Sequence, residues 1–261
     1  MNAGHATLLF LGGIGSGLTG SMAGLASLVS YPALLAVGIP PIAANVTNTV
    51  ALLSSAVGSA AGSRRELRGQ GRRILRHGVV AVAGGTAGAL LLMSTPSDAF
   101  ERIVPGLIVL GALALLFREP LRTWYTRPGE HAAEKQPGER APKAHRPPLA
   151  VVVFLIAIYG GYFGAAAGVL MLAAMSLAAA EPLAVTNAVK SIVLGFSNVA
   201  AAVLYALFAP VHWTAAALLA AGCLVGSWIG PALVRRTPER PLRVAIALAA
   251  LTLAGFLWHT A

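Results

Sequence analysis

Residues 6–37 form a run of 32 residues without a charged side chain, and six glycines interrupt it: Gly12, Gly13, Gly15, Gly17, Gly20 and Gly24. As one helix the run would reach about 48 Å, well past the roughly 30 Å of a bilayer core. Split into two half-helices of about 15 residues, each piece would reach only about 22 Å, too short to cross comfortably. A helical hairpin that enters and leaves by one face fits that length. A second glycine-broken run of the same kind covers residues 149–180.

Further apolar stretches predict spans at about 42–62, 74–93, 100–117, 184–207, 212–233 and 241–258. Charged residues make up 11% of the chain and mean hydropathy is +0.75, whereas soluble domains carry about 25% charged residues. These features predict an all-α polytopic membrane protein. A closed barrel would show short alternating segments and aromatic girdles, which are missing.

The formal net charge of +10 does not point to nucleic acid, because 17 of the 19 basic residues fall in three inter-helix segments. Six Arg lie between Arg64 and Arg76, seven Lys or Arg between Arg118 and Arg146, and four Arg between Arg235 and Arg243. Such clusters mark cytoplasmic loops and draw anionic lipid surfaces. The N-terminus lacks a basic n-region and a clear cleavage site, which argues against a secretory signal peptide. Cys223 is the single cysteine and lies in an apolar run, where it reads as a packed small residue.

Counting crossings gives an architecture. The basic loops at 118–148 and 235–243 both belong inside, yet 149–180, 184–207 and 212–233 lie between them. Three full crossings would put the loops on opposite sides. If 149–180 enters and leaves by one face, the count is even. The same treatment of 6–37 puts the N-terminus outside. The chain then divides into a first repeat (1–117), a proline-rich cytoplasmic linker (118–148) and a second repeat (149–261). The repeats are inverted, each a glycine-broken re-entrant hairpin plus three transmembrane helices. Inverted repeats with broken helices are the architecture of secondary transporters.

Within each repeat the polar residues gather after the hairpin. Val46-Thr47-Asn48 in the first repeat is matched by Val185-Thr186-Asn187 in the second, with Asn45 and Thr49 beside the first copy and Lys190, Ser191, Ser197 and Asn198 beyond the second. Upstream, Gly20-Ser21-Met-Ala-Gly24 is matched by Gly164-Ala-Ala-Ala-Gly168. A half-helix that starts after such a break presents unpaired N–H groups and a positive dipole end, so two of them make a site for an anion. Asn and Thr in membrane helices also serve simply to join helices. Lys190 and Arg102 are the basic residues outside the three clusters. A lysine facing lipid is costly, so Lys190 is expected either to face a polar interior or to snorkel to the inner surface. The pairs Gly84/Gly88, Gly222/Gly226 and Gly226/Gly230 read as helix-packing signals.

Enzymatic readings find little support. Gly15-Ser-Gly17-Leu-Thr-Gly20 matches a dinucleotide fingerprint but has no preceding strand and no acidic residue about 20 positions on. There is no H-E-x-x-H and no G-x-S-x-G, and the six histidines read as terminal or loop residues. No cofactor or metal is expected.

Several short motifs together resemble the sulfite exporter TauE/SafE family, also called the 4-toluene sulfonate uptake permease family. In the first half these are Gly15 to Gly24, Tyr31-Pro32, Gly38-Ile-Pro40-Pro-Ile-Ala43, Asn45 to Thr49 and the 64–76 arginine loop. The second half carries Gly160-Gly161-Tyr-Phe-Gly164 to Gly168 and Ala184 to Lys190. The family's glycine run after the hairpin turn is replaced here by Gly20-Ser-Met-Ala-Gly24 and Gly164-Ala-Ala-Ala-Gly168. The resemblance implies transport of sulfite, sulfoacetate or related organosulfonates, driven by an ion gradient (protons or another coupling ion). The expected protein is thus a multi-pass bacterial inner-membrane carrier of a small anion, with room for a homodimer. Its expected substrate site comprises Gly20, Ser21, Gly24, Asn45, Thr47, Asn48, Gly164, Gly168, Thr186, Asn187, Lys190 and Ser191. The rival readings are a carrier of another metabolite or ion and a non-transporting membrane scaffold.

Overall fold

A computed structural model of the chain describes residues 2–116, 148–178 and 181–234. Among them the secondary structure is helical: α1 (Ala3–Ala23), α2 (Ala26–Ala36), α3 (Pro41–Ala51), α4 (Leu53–Gly62), α5 (Gly71–Met93), α6 (Ser97–Leu116), α7 (Leu149–Tyr162), α8 (Ala167–Ala178), α9 (Leu183–Phe208) and α10 (Trp213–Val234). Three of these, α5, α9 and α10, are long and apolar enough to cross a membrane. The span expected at 241–258, the 235–243 arginines and the 118–148 linker lie outside the described residues, apart from Pro148, which caps α7.

Both glycine-broken runs fold back on themselves. A Cβ added to Gly20 would lie 2.8 Å from the Cβ of Ala26, one on Gly15 3.3 Å from Val29, and one on Gly12 2.9 Å from Ala33. This register makes α1 and α2 antiparallel. Asn2 and His5 line the same cleft as Val37, Gly38 and Ile39, so the chain returns to the end of the bundle where it began. In the second run, Val153 and Ala157 of α7 share a core cluster with Met171 and Met175 of α8. Leu149 and Val185 pack against that cluster, as does Ile74 near the start of α5.

The two runs break differently from the even split read from the sequence. In the first, α1 continues for 21 residues and α2 for 11. The early glycines do not break α1. They let it pack closely: a side chain at Gly13 or Gly17 would strike the backbone of α10, and one at Gly222 or Gly226 would strike α1. The turn falls at Gly24, the residue whose φ of +79° needs the left-handed region, and its N–H closes the helix onto Gly20 O. In the second run the left-handed residues are Gly164, φ +76°, and Ala166, φ +59°.

The span expected at 42–62 is interrupted at Leu52, which separates α3 from α4. The bounds of α5, α6, α9 and α10 agree with the spans expected there to within about three residues, a normal uncertainty for helix ends, and α5, α9 and α10 are the ones with the length and hydropathy to cross. Packing between halves is reciprocal: α1 lies along α10, and α7 lies along α5 through Gly84, Gly88 and Gly161. Small residues permit such close backbone approach where lipid supplies no hydrophobic drive. Outward-facing side chains are apolar instead. Leu75, Leu90, Leu207, Phe208 and Trp228 are each more than half exposed, a surface suited to hydrocarbon.

The arginine loop is tied to the second half. Arg73, in the first turn of α5, forms an ion pair with Glu181, which lies just before α9. His77, read from sequence as a loop residue, lies within α5 and is buried.

Candidate functional site

The two helix breaks face each other and touch. A Cβ on Gly24 would come within 2.6 Å of Gly168 Cα, and one on Gly168 within 2.7 Å of Gly24 O. Beside this contact is a cavity of about 80 Å³. At roughly 30 Å³ for each water it has room for two or three, about the size of a small oxyanion. The first break contributes Gly20, Gly24, Ala26 and Ser27, and the second Gly160, Phe163, Gly164, Ala167 and Gly168. The walls are Thr49, Leu52, Ser55, Ala56 and Ser59 from α3, α4 and the residue between them, and Lys190, Ser191, Leu194, Gly195 and Asn198 from α9.

The polarity of this cavity follows from where helices start and stop. Ala26 and Ser27 open α2, while Ala167 and Gly168 open α8. The first N–H groups of a helix have no acceptor within it and form its positive end. No side chain caps α2. Lys190 is 1% exposed, and its Nζ donates to Gly20 O at 3.2 Å. Gly20 belongs to the last turn of α1, whose carbonyls carry the negative end of that helix and so stabilise the ammonium. Snorkelling is thus not what Lys190 does. Among the described residues that line the cavity, Lys190 is the one charged side chain and none is a carboxylate.

Six of the twelve residues expected at a substrate site line this cavity: Gly20, Gly24, Gly164, Gly168, Lys190 and Ser191. The other six lie outside its lining. Ser21 donates to Leu18 O and sits against Gly230. Asn45 donates to Tyr162 O at 2.8 Å, and Asn187 to Ser21 O at 2.6 Å. Thr47 accepts from the His212 N–H at 3.0 Å, tying α3 to the α9–α10 turn. Asn48 and Thr186 are buried at 1% exposure.

Counted from the helix starts, the two halves align differently from the sequence match. Pro40 caps α3 and Pro182 caps α9. Counted from these prolines, Val46-Thr47-Asn48 are the sixth to eighth residues and Val185-Thr186-Asn187 the third to fifth, so the shared tripeptide is one helical turn out of step. The residues in step are Asn45 with Asn187, Asn48 with Lys190, Thr49 with Ser191, Leu52 with Leu194 and Ala56 with Asn198. Both asparagines at the fifth position donate to a backbone carbonyl of the opposite hairpin.

Ser27, Thr49, Ser55, Ser59 and Asn198 line the cavity but were not among the expected site residues. The signal for most of them was helical spacing. Stepping by three or four from Thr49 reaches Leu52, Ser55, Ala56 and Ser59, and stepping from Lys190 reaches Leu194 and Asn198.

A family profile described as "Sulfite exporter TauE/SafE" matches residues 9–257. Among curated proteins, "Probable membrane transporter protein ORF9" of Sinorhizobium sp. is 26% identical over 250 residues, covering 94% of this chain and 89% of its own length. "Probable membrane transporter protein YfcA" of Escherichia coli K12 is 25% identical over 254 residues, covering 97% and 89%. A "Probable membrane transporter protein" of Haemophilus influenzae is 26% identical over 252 residues, covering 92% and 90%. No solved structure matches the chain.

Proposed function

The chain belongs to the sulfite exporter TauE/SafE family of membrane transporters, and from that premise we propose that it is a secondary carrier of a small anion. The cargo on this reading is a sulfur oxyanion or a sulfonate, bound in the cavity at Lys190. The observation that carries the proposal is that Lys190 is the one charged side chain in the described lining and sits beside the starts of α2 and α8. A buried ammonium and two helix N-termini meet there, with no carboxylate in the described lining. These groups suit three or more anionic oxygens held by N–H donors and one cation. A cation carrier would need the opposite lining.

Alternating access on this reading comes from rocking one repeat against the other across the Gly24–Gly168 contact, in the inner membrane of a bacterium. Arg102 aside, the described basic residues outside Lys190 belong to the 64–76 cluster, which is assigned to the inner face together with Glu181. The cleft at Asn2, Gly38 and His212 is then outside. Two inverted repeats follow, each a re-entrant hairpin and its spans. Asn45 and Asn187 act as matched braces between the repeats. In membrane proteins such bonds average about 0.6 kcal/mol, weak enough to exchange during a transport cycle.

The test is uptake of radiolabelled sulfite and of a sulfonate into proteoliposomes, with and without an imposed pH or sodium gradient. Saturable flux that Lys190→Met abolishes supports the proposal. Undiminished flux in Lys190→Met removes the site assignment, and no flux of either anion by folded protein removes the substrate class.

A further inference from the structure

The matched helices α3 and α9 carry different chemistry one turn beyond their shared asparagine. Asn45 and Asn187 each spend Nδ2 on a carbonyl of the opposite hairpin, and each leaves Oδ1 buried with no hydrogen-bond partner. In α9 the next turn brings Lys190, whose ammonium donates to Gly20 O, four residues before the left-handed Gly24. In α3 the same position is Asn48, 1% exposed, and its Oδ1 also has no hydrogen-bond partner. The counterpart of Gly20 is Gly160, four residues before the left-handed Gly164. One half therefore meets the end of its broken helix with a tethered cation. The other half has Asn45 at the carbonyl end of α7 and, one turn further along α3, the buried acceptor oxygen of Asn48.

A buried acceptor left unmet is destabilising, and the carbonyl end of a broken helix adds negative potential. A positive ion relieves both. We infer that Asn45 and Asn48, with the carbonyl end of α7, form a binding site for a small monovalent cation, sodium. It is the mobile counterpart of the Lys190 ammonium. The ligand set consists of amide and backbone oxygens, which suits a hard ion, and it lacks the carboxylates that divalent ions demand. Unwound carbonyls and half-helix C-termini hold coupling ions in other broken-helix carriers. The inference rests on the anion-carrier reading: sodium bound beside the site offsets the cargo's charge and couples its movement to a gradient.

The experiment is equilibrium binding of radiolabelled sodium to the full chain in detergent, without any anion, on protein verified as monodisperse. Saturable binding is expected, not competed by choline. Asn48→Leu should weaken it at least tenfold, while Asn48→Asp should tighten it and admit calcium. No saturable binding by folded wild type, or equal binding by Asn48→Leu, overturns the site. Sodium binding without flux of sulfite or sulfonate keeps the site and removes the carrier reading for those anions. Anion flux indifferent to sodium, by protein that binds none, keeps the carrier and removes the site.

Discussion

The two hairpins do the same job with different backbones. The first turns at a single left-handed glycine, Gly24, after a 21-residue helix closed by a capping bond to Gly20 O. The second turns after 14 residues and needs two left-handed positions, one of them Ala166. The long helices that follow are also unlike: α3 and α4 are interrupted at Leu52, whereas α9 runs unbroken for 26 residues. What the halves keep in common is the asparagine brace and the residues in step around the cavity. What they do not keep in common is charge, since Lys190 stands where the first half has Asn48. The two halves thus share a frame and differ in the charge they bring to the cavity.

The most damaging change should be at the contact between the breaks. Gly24→Val puts a β-branched residue at φ +79° and a Cβ into Gly168, so backbone strain and a backbone clash add. Folded, monodisperse protein should be lost on size-exclusion chromatography. Next is Lys190→Met, which keeps the length of the side chain and removes the charge. Anion uptake should fall on the order of 100-fold, near 3 kcal/mol, as for loss of one charged contact in a desolvated site. Its melting temperature should change less than its uptake, because methionine keeps most of the buried side-chain volume. Ala166→Gly brings the second break closer to the first. A non-glycine residue in the left-handed region costs roughly 1–2 kcal/mol, partly offset by glycine's greater unfolded freedom. The variant should gain about 0.5–1 kcal/mol in a thermal melt. Smallest is Glu181→Gln, which breaks the pair with Arg73. Glu181 remains partly exposed, so the loss should stay below about 1 kcal/mol and shrink with added salt.

Much of the frame was legible because membrane insertion leaves a coarse signal. Apolar windows and arginine clusters located α5, α6, α9 and α10, and the Gly38-Ile-Pro40-Pro41 turn marked the start of α3. The division of 6–37 was less legible, because glycine serves two purposes in such a helix. Gly13 and Gly17 sit against a neighbouring backbone, and only Gly24 adopts the conformation that ends the helix. The alignment of α3 with α9 was hidden by a coincidence of letters. Val-Thr-Asn recurs, but Pro40 and Pro182 set the helix starts and shift the match by one turn. Lys190 stood out because an isolated cation inside an apolar span is conspicuous. Ser55 and Ser59 did not, since serine is unremarkable in an apolar span and each gains meaning only from the face it shares with Thr49.

The central claim is that the Lys190 cavity binds an anion. It is tested most directly by equilibrium binding of radiolabelled sulfite to purified protein, wild type against Lys190→Met, at matched thermal stability. The account predicts saturable binding by wild type and a loss of at least tenfold in the variant. Equal binding by the two proteins would contradict it.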